Sequence, residues 1–102
     1  MSKNVRAKQF LMKEIKKIIL SKWDPIGIQD IPEAQDEYDS YVFDVYKLIK
    51  SKKTESELFD YLWRMETEHM GLSGNKKHTQ TIAHKLFKLS AADILMEGKL
   101  YE

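Results

Sequence analysis

The chain contains no cysteine, which excludes a disulfide framework and a thiol nucleophile. It has no apolar run near the roughly 18 residues that a membrane-spanning helix requires. The N-terminal stretch MSKNVRAKQFLMKEIKKIIL has basic flanks, but Lys13, Glu14, Lys16 and Lys17 interrupt its apolar residues, whereas a secretory leader carries a continuous apolar core. These absences lead us to expect a soluble cytoplasmic protein with no membrane partner. A glycine-rich phosphate loop and a G-x-S-x-G nucleophile motif are also missing, so no catalytic residue is assigned and a non-enzymatic role is expected. No segment alternates apolar and polar residues over the length of a useful strand, and no internal repeat is present.

Cations are missing from a long central region. Residues 23–46 hold no Lys or Arg but carry Asp24, Asp30, Glu33, Asp36, Glu37, Asp39 and Asp44. Residues 1–22 are the reverse, with Lys3, Arg6, Lys8, Lys13, Lys16, Lys17 and Lys22 against Glu14 alone. The formal net charge is nonetheless +1, too balanced for a protein built mainly to coat nucleic acid. A length of 102 residues suits one domain with a small core. Residues 97–102 are expected to fray.

Four helices are expected. Val5, Phe10, Leu11, Ile15, Ile18 and Ile19 recur at helical spacing. The run Asp24-Pro25-Ile26-Gly27 stops that helix, because Pro25 disfavours helical geometry at Asp24 and Gly27 permits a turn. A second helix is predicted to open at Ile31-Pro32-Glu33, proline being suited to the first helical position. Glu33, Asp36 and Glu37 would then sit at the positive end of its dipole, and Lys47, Lys50, Lys52 and Lys53 at the negative end. Its inward stripe is Tyr38, Tyr41, Val42, Val45, Tyr46 and Ile49. Thr54-Glu55-Ser56-Glu57 reads as a capping box for a third helix lined by Leu58, Tyr61, Leu62 and Met65, with Gly71 as its left-handed end. The fourth, over residues 76–89, turns Ile82, Leu86 and Leu89 inward, with Ala83 and Phe87 beside them. Ser90 either ends it or caps a short extension. The fold class is all-α: an antiparallel four-helix bundle, with a short C-terminal fifth helix left open.

Metal and cofactor chemistry finds little support. Asp36, Asp39 and Ser40 miss the alternating oxygen positions of a calcium loop. Glu66-Thr67-Glu68-His69 holds one E-x-x-H, but a di-iron bundle needs a second copy and two further glutamates. His78 and His84 lack the i, i+4 spacing of a zinc pair on one helix. No metal site and no cofactor are assigned. Ser73-Gly74-Asn75-Lys76-Lys77-His78 remains as an anion holder at the start of the fourth helix, competing with an ordinary loop and cap. The lysines of the first helix suit phosphates, but no aromatic stacking platform accompanies them in sequence, so nucleic acid is disfavoured.

Tyr38, Tyr41 and Tyr46 lie among the acids. Tyrosine joins a large apolar face to a polar tip, so a Tyr/Asp/Glu surface suits a basic protein partner. The competing assignment places Tyr38 and Tyr41 in the core, and the sequence favours neither.

Three stretches carry a family resemblance: Trp23-Asp24-Pro25-Ile26-Gly27, then Asp36-Glu37-Tyr38-Asp39-Ser40-Tyr41, then Glu66-Thr67-Glu68-His69-Met70-Gly71-Leu72. In this order, within residues 15–89, they resemble a family of small all-helical bacterial proteins of unknown function. Some members resemble immunity proteins of contact-dependent or polymorphic toxin systems. The resemblance implies a helical fold and brings no catalytic residue. Physically, Asp24 would fix its turn by accepting backbone N–H bonds, and Trp23 would lock that loop onto the bundle. Glu66 and Glu68 would extend the acidic surface if they faced it.

The expected function is a non-catalytic protein-binding domain, most concretely an immunity protein that neutralises a basic toxin such as a nuclease. Its contact residues would be Asp36, Glu37, Tyr38, Asp39 and Tyr41, with Glu33 and Asp44 at the rim. The alternative is a small regulatory or housekeeping helical domain that binds a small ligand or pairs as a homodimer, basic first helix against acidic second.

Overall fold

The computed structural model describes residues 3–100, with side chains described for residues 6–92. Helix α1, Lys3–Ile18, continues into a wider π-helical turn, Ile19–Trp23. A position repeated every four residues drifts about 40° around an α-helix at each step. Leu11, Ile15, Ile19 and Trp23 are all buried at that spacing. The π turn, closed by the Asp24 N–H on the Ile19 carbonyl at 3.0 Å, takes more residues per turn and reverses the drift. Trp23 therefore returns to the buried face. Phe10, expected in the inward stripe, is 50% exposed; it lies one position off the buried repeat and points away from it.

The second helix begins later than the sequence suggests. Pro32–Ala34 forms a single 3-10 turn, and α2 spans Asp39–Lys50. Tight three-residue bonds link Ala34 to Ile31, Glu37 to Ala34 and Asp39 to Asp36. The Gln35 side chain closes the segment by donating to the carbonyls of Gln29 at 3.0 Å and Ile31 at 2.9 Å. Glu33, Asp36 and Glu37 thus precede the helix instead of occupying its first turns, and only Asp39 stands at the dipole's positive end.

Helix α3, Glu55–Arg64, starts with the expected capping box. The Thr54 hydroxyl accepts from the Glu57 N–H at 3.1 Å, and the Glu57 carboxylate accepts from the Thr54 N–H at 3.2 Å. A second π turn, Met65–His69, extends α3, and Gly71 follows in the left-handed region at φ 70°. Helix α4 runs unbroken over Lys76–Leu100. Among the described residues no separate fifth helix forms, and Ser90 is buried within a continuous helix instead of starting a new one. The side chains of the expected frayed tail, 97–102, lie outside those described.

Helices α1 and α2 run antiparallel, as do α3 and α4. Lys8 lies over the Tyr46 ring while Lys16 pairs with Asp39, which orients α1 against α2. Glu55 meets His84 and Glu66 meets Thr79, which orients α3 against α4. The core joins Leu11, Ile15 and Ile19 to Val42, Val45 and Ile49, then to Leu58, Leu62, Ile82, Ala83 and Leu86. Phe87 stays 39% exposed. No strand occurs among the described residues.

Candidate partner-binding site

The segment between α1 and α2 is tied down from beneath. Asp24 adopts a left-handed conformation, φ 33°, which turns its carboxylate over the following backbone. That carboxylate accepts from the Ile28 N–H at 2.8 Å, the Gln29 N–H at 3.2 Å and the Tyr38 hydroxyl at 2.9 Å. The Tyr38 oxygen in turn accepts from the Ile26 N–H at 3.1 Å. Tyr38 is only 2% exposed, so it is a core residue and not a surface contact as expected. The reason is its ring's packing beside Trp23 and Tyr41, at centroid distances of 6.0 and 6.2 Å. Burial chiefly pushes its phenol far above the ordinary value; the Ile26 N–H opposes this and the Asp24 carboxylate adds to it.

The same corner contains Glu66, 4% exposed. One of its oxygens accepts from the Trp23 indole N–H at 2.8 Å and the Thr79 hydroxyl at 2.9 Å, and the other from the Asn75 N–H at 2.8 Å. Glu66 therefore does not join Glu68 on an acidic surface. The π turn at the end of α3 keeps it in line with Leu58 and Leu62, and three donors from distant segments hold its carboxylate inside. It also fills the start of α4, where an external anion had been the candidate ligand, while Asn75 caps the helix by accepting from the His78 N–H at 3.1 Å. Gly74 makes this approach feasible. A Cβ there would lie 2.8 Å from the Trp63 ring and 2.9 Å from Glu66, at a positive φ of 81°. A cleft of about 340 Å³ remains beside Trp23, Pro25, Leu72 and His78.

The expected contact residues do not form one uniform surface. Glu33, Asp36 and Glu37 are exposed on the turn. Asp39 is exposed but pairs with Lys16 at 2.9 Å, so the basic and acidic blocks meet within one chain. Asp44 accepts from the Tyr61 hydroxyl at 2.8 Å. Tyr41 is half-buried, edge-on to Trp23 and to the exposed His69, both at 6.0 Å. Burial, then Asp44 and Glu37, raise its phenol's pKa. The sequence reading missed Ile26 and Ile31, which stand 47% and 45% exposed on the same turn, beside the exposed Asp30. Their signal was available: both are large apolar residues in a stretch with no helical period.

All three stretches that carry the family resemblance converge here, through the bonds of Trp23 to Glu66 and of Asp24 to Tyr38. Among the described residues, no group of three or more His, Asp or Glu side chains is placed to hold a metal ion. Also among them, no helix is long and apolar enough to cross a membrane. The arrangement defines an all-helical domain that presents an anchored acidic turn with two exposed isoleucines. No protein-family model, curated protein or solved structure matches the chain.

Proposed function

We propose that the protein is a non-catalytic, cytoplasmic binding domain whose acidic turn engages a basic protein, and most concretely that it is an immunity protein that neutralises a basic toxin such as a nuclease. The observation that carries this reading is the turn itself. Ile26 and Ile31 are exposed among exposed Asp30, Glu33, Asp36 and Glu37, on a segment without a cation. Masking a nuclease needs a complementary surface and no chemistry. Opposite charge steers the encounter and raises its rate, while apolar side chains at the centre of a contact hold it. The hydrogen bonds of Asp24, Tyr38 and Gln35 order the turn before binding, which lowers the entropy lost on association.

In this reading Glu33, Asp36 and Glu37 make the charged contact around Ile26 and Ile31. Asp39, Tyr41 and Asp44 lie at its rim, and Tyr38 supports the turn from beneath. The test begins with affinity capture from host lysate at low and high salt, to obtain the basic partner. Binding of that partner is then measured for Glu33→Lys, Asp36→Lys and Glu37→Lys combined. We expect a loss of about 100-fold or more, much of it in the association rate. Unchanged affinity would rule out this surface.

A further inference from the structure

We propose that the basic outer face of α1 and α2 receives the acidic turn of a second copy of this chain, so that the protein forms a salt-sensitive dimer. Five large hydrophobic side chains among the described residues are exposed: Phe10, Ile26, Ile31, Phe43 and Phe87. Ile26 and Ile31 stand on the acidic turn, whereas Phe10 on α1 and Phe43 on α2 stand beside basic side chains. Phe10 shares its helix face with Arg6, Lys13 and Lys17, at i−4, i+3 and i+7. On α2, Lys47 reaches over the exposed Phe43 ring, 4.4 Å from its centroid.

Between the helices lies a groove of about 400 Å³, lined by Met12, Lys13, Lys16, Asp39, Val42 and Phe43. Its single acid, Asp39, is already paired with Lys16, and Glu14 on α1 is paired with Lys17 at 3.5 Å. The face therefore keeps an excess of positive charge beside the exposed Phe43 ring. What fits it is a protrusion that combines aliphatic side chains with carboxylates and carries no cation. The chain contains that object in Ile26, Ile31 and their neighbouring acids. The Lys16–Asp39 pair already joins the two blocks where they meet in one molecule. When two copies exchange turn and face around a two-fold axis, the same contact forms twice. Nucleic acid or an anionic membrane would also match the charge of this face, but either would leave Ile26 and Ile31 exposed, whereas a second copy covers them.

The inference does not rest on the proposed function. Both use the acidic turn, so a basic partner and a second copy compete for it. The test is sedimentation velocity of the full chain from about 10 μM to about 1 mM, at about 0.05 M and 0.5 M salt. We expect dimerisation at low salt that weakens about tenfold or more at high salt. Two variants sharpen it, one with Glu33→Lys, Asp36→Lys and Glu37→Lys, the other with Arg6→Glu, Lys13→Glu and Lys17→Glu. Each alone should be monomeric with an unchanged circular dichroism spectrum. Mixed in equal amounts they should dimerise, because the reversed turn of one meets the reversed face of the other. Should either variant misfold, Ile31→Ser and Phe43→Ser replace them, and each should weaken dimerisation.

A monomeric wild type at the highest concentration overturns the proposal. So does a dimer that neither set of substitutions affects, or a reversed pair that stays apart on mixing. Binding of a monomeric wild type to phosphatidylglycerol vesicles or to a thymidine oligonucleotide would assign the face to that surface and overturn the dimer. The face variant keeps its affinity for a basic partner and the turn variant loses it, which separates this inference from the proposed function.

Discussion

Asp24 and Asp36 belong to the same connection between α1 and α2 and carry the same carboxylate, yet their surroundings differ. Asp24 accepts three hydrogen bonds and shapes the backbone beneath the turn. Asp36 stands exposed on top of it. The contrast extends to their neighbours. Glu66 and Tyr38 serve the buried side, where among the described residues no buried side-chain nitrogen or oxygen lacks a hydrogen-bond partner, and Glu33 and Glu37 serve the exposed side. Inside, a carboxylate acts as a structural acceptor whose loss leaves donors unpaired. Outside, it contributes to the long-range field and little to stability. Sorting charge into blocks therefore says less about function than knowing which members of a block are already bonded.

The division can be broken most severely at Tyr38. Its replacement by alanine, Tyr38→Ala, should lower the unfolding free energy by about 4 kcal/mol, as for other large core side chains. A surface tyrosine would lose far less, so denaturant titration decides its placement. Next comes Glu66→Ala, which strands the Trp23 and Asn75 donors, while the Thr79 hydroxyl keeps the Asn75 carbonyl as an acceptor at 3.0 Å. About 3 kcal/mol should be lost, and the Trp23 indole N–H resonance should shift. A neutral outcome would remove Glu66 from its supporting role.

Alkaline pH tests the buried Tyr38 phenol together with those of the half-buried Tyr41 and Tyr61. Tyr38 and Tyr61 are both raised mainly by burial, with Asp44 adding to Tyr61. Tyr41 is raised for the same main reason. Unfolded tyrosines titrate near 10.0, so above that pH the unfolded chain releases protons that the folded chain retains. The unfolded state then binds fewer protons, and stability must fall as pH rises. The contribution is complete below pH 10.0 and declines above it, which thermal melts across this range would show. The smallest effect belongs to the exposed side. Glu33→Lys, Asp36→Lys and Glu37→Lys together should change stability by no more than about 0.5 kcal/mol, although the same substitutions should weaken partner binding about 100-fold or more.

Much of this contrast was legible in residues taken locally. The capping box at Thr54 and Glu57, the left-handed Gly71 and the N–H bonds to Asp24 all appear where spacing and residue type placed them. Trp23 locks its loop as expected. Helical period alone misplaced Phe10, because an apolar residue beside a stripe reads like a member of it. It also placed the start of α2 too early. Pro32 does open a helical turn, but the tight turns after it, tied by Gln35 and by the buried Tyr38 hydroxyl, delay the α-helix to Asp39.

By itself the sequence determined four helices, the capping box and left-handed glycine that bound the third, and the separation of acid from base, because each follows from interactions within a few residues along the chain. Only the tertiary structure decided that Glu66 turns inward while Glu68 stays out, that Tyr38 belongs to the core and that Asp39 meets Lys16. A carboxylate can be buried only when donors reach it. Those of Glu66 come from the end of α1 and the start of α4, segments that periodicity treats as unrelated and that only folding brings together.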